Sequence, residues 1–182
     1  MEAPIEGANK KIAVLIAVLA ALLAIAEMSA KGAQTEVLTE QVEASDQWAF
    51  FQAKTIRQTV LRVTADEVDA LYKDGGNMPP ALAAQVKAWR KTIDSFESDP
   101  QSKEGRRELR ATASKHVAAR DEARAAYHHF EYGSASFQLA IVLASAAAVT
   151  SVVALAYVSI GLGLLGTALT ALGWLAPTLV PL

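Results

Sequence analysis

The stretch AYHHFEYGSASFQLAIVLASAAAV, Ala126–Val149, marks the place where the chain changes solvent. Up to Glu131 charge recurs every few residues; from Tyr132 to Leu182 there is no Asp, Glu, Lys, Arg or His. A helix facing water needs a polar face, and this segment offers only scattered Ser, Thr and one Gln. Ser134–Val158 and Ser159–Val180 each supply the roughly 20 apolar residues that cross a ~30 Å hydrocarbon layer. The polar residues 32–133 are too few to bury two such helices in a soluble core, so the segment predicts a membrane hairpin. Its turn is expected at YVSIGLG, Tyr157–Gly163. Gly161, Gly163 and Gly166 there spell the dinucleotide fingerprint G-x-G-x-x-G, but no strand precedes it and no acid follows, so glycine serves a turn and close packing. Ala140, Ala144 and Ala148 add the small-xxx-small spacing of closely packed membrane helices.

A third apolar run, Ile12–Ala30, follows Lys10 and Lys11. Its uninterrupted part, Ile12–Ala26, is short for a span; the turn with Glu27, Met28 and Ser29 supplies the length. Glu27 then lies near the headgroups, paired with Lys31 at i+4. Two lysines, an apolar run and "AIA" also suit a cleavable leader; a retained anchor is the expectation.

The middle carries nearly all the charge: residues 31–133 hold 15 of 17 Lys/Arg and 16 of 19 Asp/Glu. That balance gives no basic stripe for nucleic acid. The absence of cysteine excludes disulfides, thiolate catalysis and Cys-built zinc sites. Residues 32–63 read as helix with a heptad seam at Val42, Ala49, Ile56 and Val63. Thr64 and Glu67 read as a capping box opening a short helix to about Lys73. DGGNMPP breaks the chain, and Leu82, Val86, Trp89, Ile93 and Phe96 form one stripe on the next helix. After SDPQS, a helix from Lys103 runs into the hairpin with its own seam at Leu109, His116, Ala123 and Phe130. Two rods leaving one membrane surface should run antiparallel, pairing Val42 with Ala123, Ala49 with His116, and Ile56 with Leu109.

The expected fold is therefore all-α: an integral membrane protein with three transmembrane helices and an extramembrane antiparallel helical stalk. Residues 1–31 are the tail and anchor, 32–133 the stalk with a cap at 64–101, and 134–182 the hairpin.

Chemistry is sparse. His128 and Glu131 could share an ion at i,i+3, but no third ligand stands at helical spacing, so no metal site is expected. His116 has no nucleophile beside it and reads as a polar residue fixing register. No acid–base pair, triad or cofactor motif is present, so neither an enzyme nor a cofactor is expected.

One block stands out, SDQWAFFQAKTIRQ at Ser45–Gln58, with three aromatics pointing around a rod. It resembles the recurring block of a family of small bacterial membrane proteins known only as a domain of unknown function: Asn or Ser, Asp-Gln-Trp, an aromatic pair, then Gln-Ala-Lys-x-Ile-Arg. Asp46, Gln47, Trp48, Phe50, Phe51, Gln52, Ala53, Lys54, Ile56 and Arg57 match it. The resemblance covers nearly the whole chain and implies an anchor, a helical middle and a C-terminal membrane hairpin, with no established reaction. The longer charged N-terminal tail and the hairpin-turn arginines of such proteins are missing here.

Trp48, Phe50, Phe51, Gln52, Lys54, Arg57 and His116 are the candidate interaction residues. The expected role is a non-enzymatic structural, assembly or accessory subunit of a bacterial inner membrane. Its expected partners are the lipid bilayer and either further copies of the chain or another membrane protein, with no nucleic acid and no small-molecule substrate. Lys10 and Lys11 before the first span predict a cytoplasmic N-terminus and a periplasmic stalk. The alternative is a homo-oligomeric channel lined by Ser145, Thr150 or Ser151, which would lack the intramembrane charge that ion pathways generally use.

Overall fold

The computed structural model describes residues 3–73 and 76–180. The elements are α1 (Ala3–Leu71), α2 (Pro80–Glu97), α3 (Arg106–Thr150) and α4 (Val153–Leu175), and among the described residues there is no strand. Parts of α1, α3 and α4 are long and apolar enough to cross a membrane. The fold is all-α with three candidate spans, as the distribution of charge predicts. The chain forms two compact units, Met1–Leu38 with Ala119–Leu182, and Thr39–Ala118.

In the first unit the core is Leu19 and Ala26 of α1 against Phe137 and Ala140 of α3, flanked by Leu15, Leu22, Leu23, Ile141 and Leu162. Small residues let the helices approach. Ala140 and Ala144 are fully buried, joined by Ala147 in place of the expected Ala148. The α3–α4 contact is closer still. A Cβ on Gly133 would lie 3.2 Å from the Gly166 carbonyl oxygen, and one on Gly166 would lie 3.0 Å from that of Gly133. Between these helices the buried Ser159 hydroxyl donates to the Ala140 carbonyl at 2.7 Å, so its polarity costs little. Other hydroxyls turn inward on their own helices: Ser145 donates to Ile141 and Thr150 to Ala146.

The hairpin turn lies earlier than the glycines suggest. α3 stops at Thr150 and α4 begins at Val153, with Ser151 at φ 60°. Gly161, Gly163 and Gly166 are inside α4, and Gly163 and Gly166 are buried. The break occurs in VTSVV, Val149–Val153, where branched side chains lose rotamer freedom in a helix. The Thr150 hydroxyl also accepts the Val152 N–H at 3.4 Å.

In the second unit α2 occupies Pro80–Glu97, with Pro80 opening the helix as expected. Val86 and Ile93 are buried, and Leu82, Trp89 and Phe96 are half-buried on the same stripe. The break before it falls partly on Asp74 and Gly75, which lie outside the described residues. The capping box is not used. α1 continues to Leu71, and the Thr64 hydroxyl donates back to the Val60 carbonyl at 2.9 Å. The loop into α3 closes on Gly105, where a Cβ would lie 2.7 Å from the Ser98 Cα. There Glu108 accepts from the Ser98 hydroxyl at 2.6 Å and from the Asp99 N–H at 3.3 Å.

The seam of α1 is the main correction. Val42, Ile56 and Val63 are 59%, 64% and 50% exposed, and Ala49 is exposed as well. The inward row is Ala44, Phe51, Gln58 and Ala65, of which Ala44, Gln58 and Ala65 are buried. It has the same spacing of seven, displaced by two positions, which is about 200° around a helix. The expected facing of Ala49 with His116 and Ile56 with Leu109 is therefore wrong. Leu109 is buried as expected, but His116 Nδ1 lies 2.7 Å from Glu40 Oε2. The α1 and α3 segments of this unit do run antiparallel, since Glu40 meets His116 while Thr55 meets Arg106.

Candidate functional site

The family-like block occupies the part of α1 that meets both α2 and α3, and its side chains divide by face. The inward ones assemble around Arg106, the first residue of α3. Its Nε donates to Thr55 Oγ1 at 2.9 Å, and its Nη1 donates to Gln58 Oε1 and to Glu97 Oε2, the latter at 2.8 Å. Gln58, only 2% exposed, donates through Nε2 to the Ile93 carbonyl at 3.1 Å and to Glu97 Oε2 at 3.2 Å. One buried amide thus ties three helices, with both ends of the side chain in use. The Arg106 guanidinium lies 5.1 Å from the Phe51 ring centre, and Trp48 packs edge-on against Phe51 at 5.4 Å. Lys54 lies 5.8 Å from the Phe96 ring centre and pairs with Glu104 at 3.6 Å.

Among the predicted interaction residues, Trp48, Phe51 and Lys54 are therefore brought together, and they hold the unit closed. Phe50 is 61% exposed, and Gln52 and Arg57 are exposed on the outer surface. His116 is apart from the cluster, bound to Glu40. Arg106, Gln58 and Glu97, the centre of the junction, escape a reading by hydrophobic pattern. Gln58 could have been found as the polar member of a second row seven apart, behind Ala44 and Phe51. Arg90 bridges Asp66 and Asp69 at the α1–α2 contact, which raises its affinity for its proton, mainly through Asp69.

In chemical terms the junction is a closed set of donors and acceptors. A small open cavity of about 260 Å³ lies beside it, lined by Gln47, Phe50, Lys54, Lys103, Glu104 and Leu109. Among the described residues no three His, Asp or Glu side chains converge as metal ligands. His128 Nδ1 and Glu131 Oε2 are 3.7 Å apart on α3 of the first unit. There Glu27 accepts a hydrogen bond from Gln138 of α3 at 3.3 Å, in place of the expected pairing with Lys31. Buried His129 bonds through Nε2 with the Pro177 carbonyl at 3.1 Å, fastening the end of the hairpin.

The model of a protein family described as Domain of unknown function (DUF4337) matches residues 8–176, and the chain belongs to that family. No curated protein and no solved structure matches it.

Proposed function

We propose that this DUF4337 chain is a non-enzymatic assembly or accessory subunit of a bacterial inner membrane, acting through helix–helix contacts of the Thr39–Ala118 unit. One observation carries the reading. The inner face of α1 is sealed by a polar junction, while its more apolar face, including Val42, Ile56, Val60 and Val63, is left to solvent. Isolated apolar residues on a surface are ordinary; a row of them along one helix marks an interaction face. Three helices able to cross a bilayer supply the anchoring such a subunit needs. Lys10 and Lys11 ahead of the first span favour a cytoplasmic N-terminus, with the Thr39–Ala118 unit on the periplasmic side.

The test is the protein mass of the full chain extracted in mild detergent, with and without Ile56→Asp. The expected result is a particle larger than one chain, reduced to a single chain by the substitution with helix content unchanged. A single chain from the outset overturns the assembly reading. Labelling Asn77→Cys with a membrane-impermeant maleimide in intact spheroplasts, before extraction, checks orientation; protection from the periplasmic side would reverse it.

A further inference from the structure

We propose that the outward stripe of α1 is the seam of a parallel coiled coil between copies of this chain. The inference rests on the assembly reading above and names its partner. Ala49, Ile56 and Val63 occupy one heptad position, and Ala53 and Val60 the position four residues later; all five are exposed. Together they step 4-3-4-3, the spacing of a coiled-coil seam. The middle of this seam lies about 180° around the helix from the buried row of Ala44, Phe51, Gln58 and Ala65, so α2 and α3 leave it open. Asp46 and Glu67 hold the next seam position at either end. Carboxylates stacked on their own copies repel, so the contact is confined to the stretch between them.

Three features select another copy in parallel. First, the exposed members of the family-like block fall on the two flanks of this seam. Phe50 and Arg57 follow a seam residue on one flank, and Gln52 precedes one on the other. In a parallel coil a residue on the second flank faces the residue five positions later on the partner. Gln52 therefore faces Arg57 of the partner subunit, and its amide oxygen accepts from the guanidinium. Among the described residues neither side chain has a partner within its own unit. Second, branched side chains stand at both seam positions, Val60 at one and Ile56 with Val63 at the other. That pattern favours coils of three or more strands over two. Third, copies inserted in one bilayer with one topology carry this part of α1 in the same direction, so the parallel arrangement needs no reorientation. Thr59 fits the same geometry: its hydroxyl donates to the Thr55 carbonyl at 2.8 Å, leaving its methyl group to cover the flank.

The experiment uses the full-length chain in native membranes, where the absence of cysteine makes each introduced thiol unique. Ala49→Cys, Ile56→Cys and Val63→Cys are oxidised separately, with exposed Ala111→Cys on α3 as the collision control. Disulfide-linked pairs of chains are expected at 49, 56 and 63 at several-fold the control yield. Gln52→Arg sets like charges face to face and should lower the Ile56→Cys yield several-fold; adding Arg57→Glu should restore it. With Ala49→Cys and Val63→Cys chains co-expressed in one membrane, linkage of one variant to the other in preference to each with itself overturns the parallel arrangement. A yield indifferent to Gln52→Arg overturns the flank pairing. Maleimide reactivity separates the remaining failures. No linked pair with Ile56→Cys protected overturns the second copy alone, since another protein then covers the face. No linked pair with Ile56→Cys fully reactive overturns both this inference and the assembly reading.

Discussion

Gly161 and Gly166 stand about one and a half turns apart on α4 and should respond with opposite sign when replaced by alanine. A Cβ on Gly161 meets nothing within 4 Å, so Gly161→Ala removes only backbone freedom. The expected effect is neutral or stabilising by up to about 1 kcal/mol. A Cβ on Gly166 lies 3.0 Å from the Gly133 carbonyl oxygen and 3.0 Å from two ring atoms of Phe137, which is itself 1% exposed. The carbonyl belongs to a helix and cannot rotate aside, so α3 and α4 must separate by tenths of an ångström. Overpacking of that kind costs about 1–3 kcal/mol, and the gain in helix propensity offsets at most about 1 kcal/mol. A net loss of about 1–2 kcal/mol is a roughly tenfold change in the folded-to-unfolded ratio. SDS titration of the full chain reads this through Trp174 fluorescence once Trp48 and Trp89 are replaced by Phe. The pair controls itself, because both substitutions are identical in chemistry and lie on one helix. If Gly161→Ala were the damaging change and Gly166→Ala the silent one, the close α3–α4 contact would be wrong and the glycines would belong to a turn after all.

Gln58→Leu keeps the bulk but strips both hydrogen-bonding ends, leaving the Ile93 carbonyl and the Arg106 guanidinium short of a partner. A loss of about 1–3 kcal/mol is expected in thermal unfolding followed by circular dichroism, and an unchanged midpoint would show that the junction is decorative. Glu108 is held below its ordinary 4.5 chiefly by the Ser98 hydroxyl, so its contribution to stability is fully present above that value and is lost as pH falls through the lowered one. The acid limb of a melting-temperature profile should flatten in Glu108→Gln, and superimposable limbs would remove Glu108 from the account.

Much of this architecture is legible because the solvent preference of a helix is written in its charges. The loss of charge after Glu131, the apolar run after Lys11 and the Pro79–Pro80 start each rest on a strong local preference. The seam of α3 is readable for a related reason. Leu109, Ala123 and Phe130 are apolar and buried, and the helix has no comparably apolar row elsewhere in that stretch. The turn of the hairpin is misread from sequence because glycine inside a membrane helix signals close approach as readily as chain reversal, and composition does not separate the two uses.

The phase of α1 is hidden for a deeper reason. Two rows on that helix repeat every seven residues: Ala44, Phe51, Gln58 and Ala65 on one side, Val42, Ala49, Ile56 and Val63 on the other. Periodicity reports that a helix has a seam, and hydrophobicity normally reports which row it is. Here the row turned inward contains a buried glutamine and two alanines, because the space between α1, α2 and α3 is narrow and closed by Arg106 rather than by aliphatic bulk. The more aliphatic row faces out. A helix with one seam used and a second, more apolar one exposed has a contact left to make, and the misreading of phase is thus itself the strongest pointer to an interaction face. The candidate residues divide along the same line: Trp48, Phe51 and Lys54 close the unit, whereas Phe50, Gln52 and Arg57 flank the seam assigned to the partner.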